Sequence, residues 1–258
     1  PLSRLLLSAA GLVYIGLGRG LAARPSRVLV VTPDARRAEV VAAGLGAFMP
    51  LAGDGRRVVE IPEVVAAQPG QWMPENEAAR CAALAAGLEA LPQVFLTTVE
   101  GLLAPTISPR QFAENTIRLE VGQSGIEPTA LAAQLVALDY DNEAEVHAPG
   151  EFSRRGGILD LYSPLYDAPV RIEFFGDVID SMRFFMPDTQ RSIRAVERIA
   201  VLPRGAIVGA AEGGATAWDY VGREATVAVC SPAAIRDHLE RFADADRLAV
   251  WEIGRAHV

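Results

Sequence analysis

The run Arg27-Val28-Leu29-Val30-Val31-Thr32-Pro33-Asp34 is unbroken in its β-branched residues and leucine until a Pro-Asp turn closes it. A strand with no polar alternation has no face to give to water, so both of its faces must be covered. Helices supply that cover most economically, and the chain offers two, over Ala35–Phe48 and over the alanine- and leucine-rich Glu75–Leu91. Arg57–Pro62 and Gln93–Val99 are further strand candidates, the second followed directly by a short helical segment, Glu100–Leu103. Strands alternating with helices predict an α/β fold with a mostly parallel sheet over about the first hundred residues. The apolar stretch Leu5–Gly18, preceded by Arg4, has the look of a signal-peptide core, but it is too short to span a bilayer, and length and cysteine usage favour a buried helix after a short strand over secretion.

The pattern changes after Pro105. Ile117–Val121 reads as a strand and Glu127–Leu138 as an amphipathic helix, with Pro128 in its first turn, where the missing N–H costs nothing. From Gly150 the chain becomes strand-rich and meandering, which marks a second domain of α+β type. A Gly/Ala-rich stretch, Gly205–Thr216, has linker character. Thr226–Cys230 is then one more buried strand, and Ser231–Phe242 a helix with Ser231 as N-cap and Pro232 at its first position. This tail resembles the first region. The expected organisation is therefore an α/β domain over residues 1–114, a smaller α+β domain inserted at 115–203, and a return segment of the first domain over 204–258.

Charge narrows the function. The formal net charge is -8 and the pI near 5.0, so a domain built to grip duplex DNA is disfavoured and a protein partner comes first. All 24 basic residues are arginine, and the sequence contains no lysine. A phosphate loop needs a lysine for the β- and γ-phosphates, so an ATPase site is not expected. Gly16-Leu17-Gly18-Arg19-Gly20 is the nearest imitation of a phosphate-binding loop, and it lacks the dinucleotide spacing. Cys81 and Cys230 form no CxxC pair, and His147, His238 and His257 are scattered, so no zinc site or disulfide framework is suggested. Asp139, Asp141, Glu143 and Glu145 match no calcium loop and are expected in a solvated loop. The expectation is a cytoplasmic, non-enzymatic chain with no cofactor, no metal, no membrane segment and no small-molecule substrate. Beginning at Pro1, it is expected to come from inside a longer gene product.

The informative stretch runs from Ala148 to Asp177. Gly176-Asp177 separates two strand-like runs, and a two-residue loop with glycine first signals a type II′ hairpin in which Phe175 faces Val178. Period-two alternation puts Val170, Ile172 and Phe174 on one face and Arg171, Glu173 and Phe175 on the other. The second set would display an arginine and a phenylalanine four residues apart, the composition of a protein-binding hot spot. Equally, Phe175 could pack under a neighbouring loop while Arg171 pairs with Asp180. The return strand, Val178–Phe185, is apolar on both faces and leaves both readings open.

The motifs Gly150-Glu151-Phe152-x-x-Arg155-Gly156-Gly157-Ile158-Leu159-Asp160-Leu161, Pro169-Val170-Arg171-Ile172-Glu173-Phe174-Phe175-Gly176-Asp177, Ile179–Phe184 and Asp188-Thr189-Gln190-Arg191-Ser192 together resemble the repair-protein-binding domain of the bacterial transcription-repair coupling factor family. The excision-repair protein UvrB has a related domain. The likeness extends back through Leu119–Gln123 and Val30–Asp34, strongly over about residues 5–205 and weakly in the tail. Tyr162-Ser163-Pro164 and the second arginine, Arg154, depart from the family pattern without touching its contact set.

The resemblance implies a UvrB-like scaffold: a degenerate helicase-type α/β domain without a working phosphate loop, interrupted by a smaller domain that binds UvrA. It carries the UvrA-contacting role onto Arg155, Arg171 and Phe175. It also implies that the polymerase-binding and motor domains, through which the parent protein meets RNA polymerase and DNA, lie outside this chain. The competing functions are a UvrB-like helicase-subunit fragment and a nucleic-acid-binding module using Arg154, Arg155, Arg171, Arg183 and Arg191. On the hot-spot reading, truncating Phe175 or Arg171 is expected to remove binding while folding barely notices.

Overall fold

In the computed structural model the chain is mixed α/β, with several sheets, one of them parallel. The structure describes residues 26–51, 54–63, 74–203, 214–221 and 225–242. Leu5–Gly18, the Gly16–Gly20 run and most of Gly205–Thr216 lie outside them. Two compact units emerge: residues 1–65, 83–105 and 215–258 form the first, 66–82 and 106–214 the second.

The first unit is built on four parallel strands, β1 (Arg27–Thr32), β2 (Arg57–Ile61), β3 (Gln93–Thr98) and β12 (Thr226–Val229), in the order β12-β1-β3-β2. The two central strands are the two continuous apolar runs, and β3 is buried at every position. β2, with its arginine and glutamate, takes an edge, as does β12. Helix α1 (Ala35–Leu51) lays Val41, Leu45 and Met49 against Val28, Val30, Val94 and Leu96. Helix α2 (Pro74–Leu88) ends three residues short of the expected Leu91, because Pro92 disfavours helical backbone before it; Glu89 N–H closes the last turn on the Ala86 carbonyl.

Thr98 caps α3 (Val99–Leu103), its hydroxyl accepting from Gly101 N–H at 3.0 Å. Gly101 has no substitute there: a Cβ would stand 2.5 Å from Thr97 Oγ1, itself donating to the Ile61 carbonyl at 2.9 Å. Past α6 (Ala217–Val221), Ser231 precedes α7 (Pro232–Phe242) and its carbonyl accepts from Ile235 N–H, although with φ of 54° it departs from the extended backbone of an ordinary N-cap.

The longer segment of the second unit, 106–214, opens with α4 (Pro109–Glu114), held by a Ser108–Gln111 capping box that the sequence reading missed. Next come β4 (Ile117–Glu120), α5 (Pro128–Ala137) and the short β5 (Asp141–Asn142). Strands β6 (Glu151–Arg155), β7 (Ile158–Leu161), β8 (Val170–Phe175), β9 (Val178–Phe185) and β10 (Ser192–Ala195) follow as an antiparallel meander. β5 joins its far edge in parallel, and β11 (Arg198–Val201) pairs instead with β4. Phe152, Leu161, Val170 and Phe184 stand in register across the meander, beside Leu159, Ile172 and Met182. This inner face forms one core with Leu131 and Leu135 of α5 and with Leu119, Ile199 and Val201 of the β4–β11 ribbon.

The ambiguous return strand has a physical explanation. Glu173 pairs with Ser181 but Phe174 pairs with Ile179, so Asp180 is the extra residue of a β-bulge. The bulge resets the alternation, which lets Ile179 and Met182 both face the core although three residues apart. Phe185 then falls on the opposite face from Phe184.

Candidate protein-interaction site

The outer face of the meander is set by two glycine-first hairpins at one end of the sheet. Gly156 (φ 62°) and Gly176 (φ 65°) adopt the positive φ that the first position of a type II′ turn requires. Each fixes a register: Arg155 opposite Ile158, and Phe175 opposite Val178. Two rows cross the outer face, Ser153–Asp160–Arg171–Arg183 and Arg155–Ile158–Glu173–Ser181, and Phe175 lies two residues beyond Glu173. Strand spacing and rise put Arg155 about 10 Å across from Glu173 and Phe175 about 13 Å along from Arg171. The three residues singled out in the sequence therefore share one face of one sheet.

Their states differ. Phe175 is 82% exposed, so the alternative in which it packs under a loop is overturned. Ile158, in the neighbouring row, is also exposed. Arg155 is largely exposed; its Nη2 donates to the Ala144 carbonyl and lies 3.6 Å from Glu145 Oε1. Arg171 is not the free arm that alternation suggested, and it does not pair with Asp180. Nε and Nη2 donate to the two oxygens of Asp160, each at 2.7 Å, with side chains only 18% and 10% exposed. Nη2 also donates to Gln190 Oε1 at 2.6 Å, and the guanidinium carbon sits 4.6 Å from the centre of the Phe185 ring. The bond to Asp160 raises the guanidinium pKa further. Truncating Arg171 would strand a buried carboxylate, so the expectation that folding would barely notice is corrected.

Charge on this face is partly compensated. Of the five clustered arginines, Arg155 meets Glu145, Arg171 meets Asp160, and Arg183 Nη2 donates to Glu173 Oε1 at 2.6 Å. That bond, with a second from Ser181 Oγ, holds the Glu173 carboxyl below the usual range. Three of the five being paired, the cluster has less uncompensated charge for phosphates than its arginine count implies, which weighs against a nucleic-acid surface. The carboxylates Asp141, Glu143 and Glu145 are exposed, and among the described residues no three His, Cys, Asp or Glu side chains stand close enough to hold a metal.

Residues 117–206 match the model of the UvrB interaction domain family. The matched residues lie within the second unit. Across this region the chain is similar to transcription-repair-coupling factors: 46% identical over 86 residues to that of Myxococcus xanthus, 47% over 85 to that of Bacillus subtilis, and 39% over 104 to that of Mycobacterium bovis. These stretches cover 33%, 33% and 40% of this chain and 7%, 7% and 8% of the relatives' own length. The sequence-derived contact set thus falls on the outer face of the meander, inside the matched residues. What the sequence reading missed are its supports, Asp160, Phe185 and Gln190. Asp160 could have been found by pairing strands outward from the Gly156-Gly157 turn. Gln190 reaches Arg171 from a loop 19 residues on, for which local pattern gives no signal.

Among the described residues no helix is long and apolar enough to cross a membrane.

Proposed function

We propose that this chain is a non-catalytic recruiting module of a transcription-repair coupling factor, and that Arg155, Arg171 and Phe175 grip UvrA. The observation that carries the reading is Phe175: a phenylalanine 82% exposed on a hairpin shoulder, on the same sheet face as Arg155 and Arg171, whose charges are internally paired. An aromatic held in water by a rigid strand, with arginine beside it, is the composition of an interface anchor. The first unit, on this reading, is a degenerate helicase-like scaffold. Its parallel sheet supports that, as does a sequence with no lysine to bind triphosphate. Contacts with RNA polymerase stalled at damage, and with DNA, belong to parts of the parent protein outside this chain.

Calorimetric titration of purified UvrA into the chain is the test. Saturable binding near one-to-one, insensitive to added duplex DNA, is the expected result. Absence of binding at tens of micromolar would refute the reading. Steeply salt-dependent retention of duplex DNA would favour the nucleic-acid alternative instead.

A further inference from the structure

The loop joining β9 to β10, residues 186–191, contains Asp188-Thr189-Gln190-Arg191, and Gln190 occupies its one left-handed position, with φ of 59°. A residue with a Cβ is disfavoured there by about 1–2 kcal/mol, and glycine or asparagine would be the ordinary choice. The loop closes without help from the side chain, since Gln190 N–H donates to the Met186 carbonyl at 2.8 Å and Met186 N–H to the Arg191 carbonyl at 2.9 Å. The side chain is engaged elsewhere. Nε2 donates to the Pro187 carbonyl at 2.8 Å, and that bond orients the amide so that Oε1 accepts from Arg171 Nη2 at 2.6 Å.

The donors of Arg171 can be counted. A guanidinium has five N–H groups. Asp160 takes the one on Nε and one on Nη2, and Gln190 takes the second on Nη2. Phe185 occupies one flat side of the plane. Among the described residues no acceptor meets Nη1, so its two N–H groups are those left to a partner. Without Gln190, the spare Nη2 hydrogen would compete for the same acceptor, and the plane would be fixed along one edge only.

We propose that Gln190 is a positioning residue for the interface: it locks the Arg171 guanidinium so that only the Nη1 edge is offered, to a carboxylate or carbonyl acceptor on the partner. The proposal rests on the UvrA reading and deepens it. It accounts for a side chain tolerated in a conformation that suits glycine better, because relief of that conformation would forfeit the lock.

The test uses three variants of the full chain. Gln190→Gly removes both the left-handed penalty and the acceptor; Gln190→Asn suits the left-handed backbone but is one methylene too short; Gln190→Glu keeps an acceptor at Oε1. Gln190→Gly and Gln190→Asn are expected to melt at or above the parent temperature yet bind UvrA roughly tenfold more weakly, about the effect of losing one charge-assisted bond. Gln190→Glu keeps the acceptor but sets an oxygen against the Pro187 carbonyl, and is expected to bind more weakly than the parent yet better than Gln190→Gly. A second readout needs no partner. In arginine-labelled chain, the Nη protons of Arg171 should be resolved and slow to rotate in the parent and average in Gln190→Gly. Parent-like binding by Gln190→Gly, or weaker binding only alongside a lower melting temperature, would overturn the proposal. If the parent chain itself fails to bind UvrA, the functional reading falls. The guanidinium resonances then decide the lock alone, and an unchanged Arg171 signal in Gln190→Gly sinks it.

Discussion

Phe175→Ala and Arg171→Ala, which the sequence treats as equivalent truncations, are expected to behave in opposite ways. A phenylalanine carries about 200 Å² of surface, and at 82% exposure some 160 Å² of it is in water in the free chain. Burying that area in a partner pocket is worth up to about 4 kcal/mol at 25 cal/mol per Å², and an interface anchor typically retains about half. Loss of Phe175 should therefore weaken UvrA binding about thirtyfold or more. Stability should change by under about 0.5 kcal/mol, since the side chain touches little of its own fold.

Arg171→Ala removes the one charged partner that Asp160, 10% exposed at its side chain, has among the described residues. Breaking a buried pair from one side costs about 3–5 kcal/mol, because the remaining carboxylate keeps its desolvation penalty. For a unit of about a hundred residues, that lowers the melting temperature by well over 10 °C. The assay is thermal unfolding by circular dichroism beside titration with UvrA, for both variants and for Asp160→Asn/Arg171→Met, which removes both charges together. The double variant should recover most of the stability lost in Arg171→Ala while binding stays weak. If Phe175→Ala lowers the melting temperature as far as Arg171→Ala, or if Arg171→Ala melts like the parent, the division of labour argued here is wrong.

Three further outcomes follow from the same geometry. Gly101→Ala should cost about 1–3 kcal/mol in a denaturant titration, because its Cβ would meet Thr97 Oγ1 at 2.5 Å and displace a hydroxyl already bonded to the Ile61 carbonyl. Glu173 has its pKa lowered in the fold, chiefly by Arg183, so its contribution is present above the unfolded carboxylate value of about 4.3 and is lost as pH falls through the lower folded value. Because the side chain is a third exposed, the stability gap between parent and Glu173→Gln should stay under about 1 kcal/mol at pH 7 and shrink as the pH is lowered below the unfolded value. Burial pushes the Cys230 thiol up despite nearby Arg37, so in a Cys81→Ser background a thiol reagent at neutral pH should label it only after denaturant is added; rapid labelling of the native chain would contradict this.

Much of the architecture was legible because burial on both faces leaves a compositional mark. Val28–Val31 and Val94–Leu96 carry no polar residue, and they are the two central strands of the parallel sheet. The Gly176-Asp177 turn was equally legible, since few residues other than glycine adopt a φ near 65°, and with strand alternation it put Arg171 and Phe175 on one face; the Gly156-Gly157 turn, which brings Arg155 to the same face, was not read from the pattern. Period-two reasoning failed on β9, where the extra residue Asp180 switches the faces midway and makes the strand read as apolar throughout. A bulge adds no residue type that marks it, only a count, and a count is visible only once the partner strand is known.

The same limit explains why Arg171 was misread as a solvent-facing arm. Alternation gives the direction in which a side chain leaves its strand, and that direction was right. It says nothing of what the neighbouring strands bring to the same spot. β7 brings Asp160 and β9 brings Phe185, and Gln190 arrives from the loop beyond. Paired, stacked and capped, Arg171 loses conformational freedom before any partner arrives. A side chain as long as arginine otherwise gives up about 0.5–1.5 kcal/mol of rotamer freedom on binding. Phe175, with two torsions and a rigid ring, has little such freedom to lose. The outer face therefore presents an exposed apolar anchor beside a prefixed pair of donors, an arrangement suited to a partner offering an apolar pocket flanked by an acidic or carbonyl acceptor.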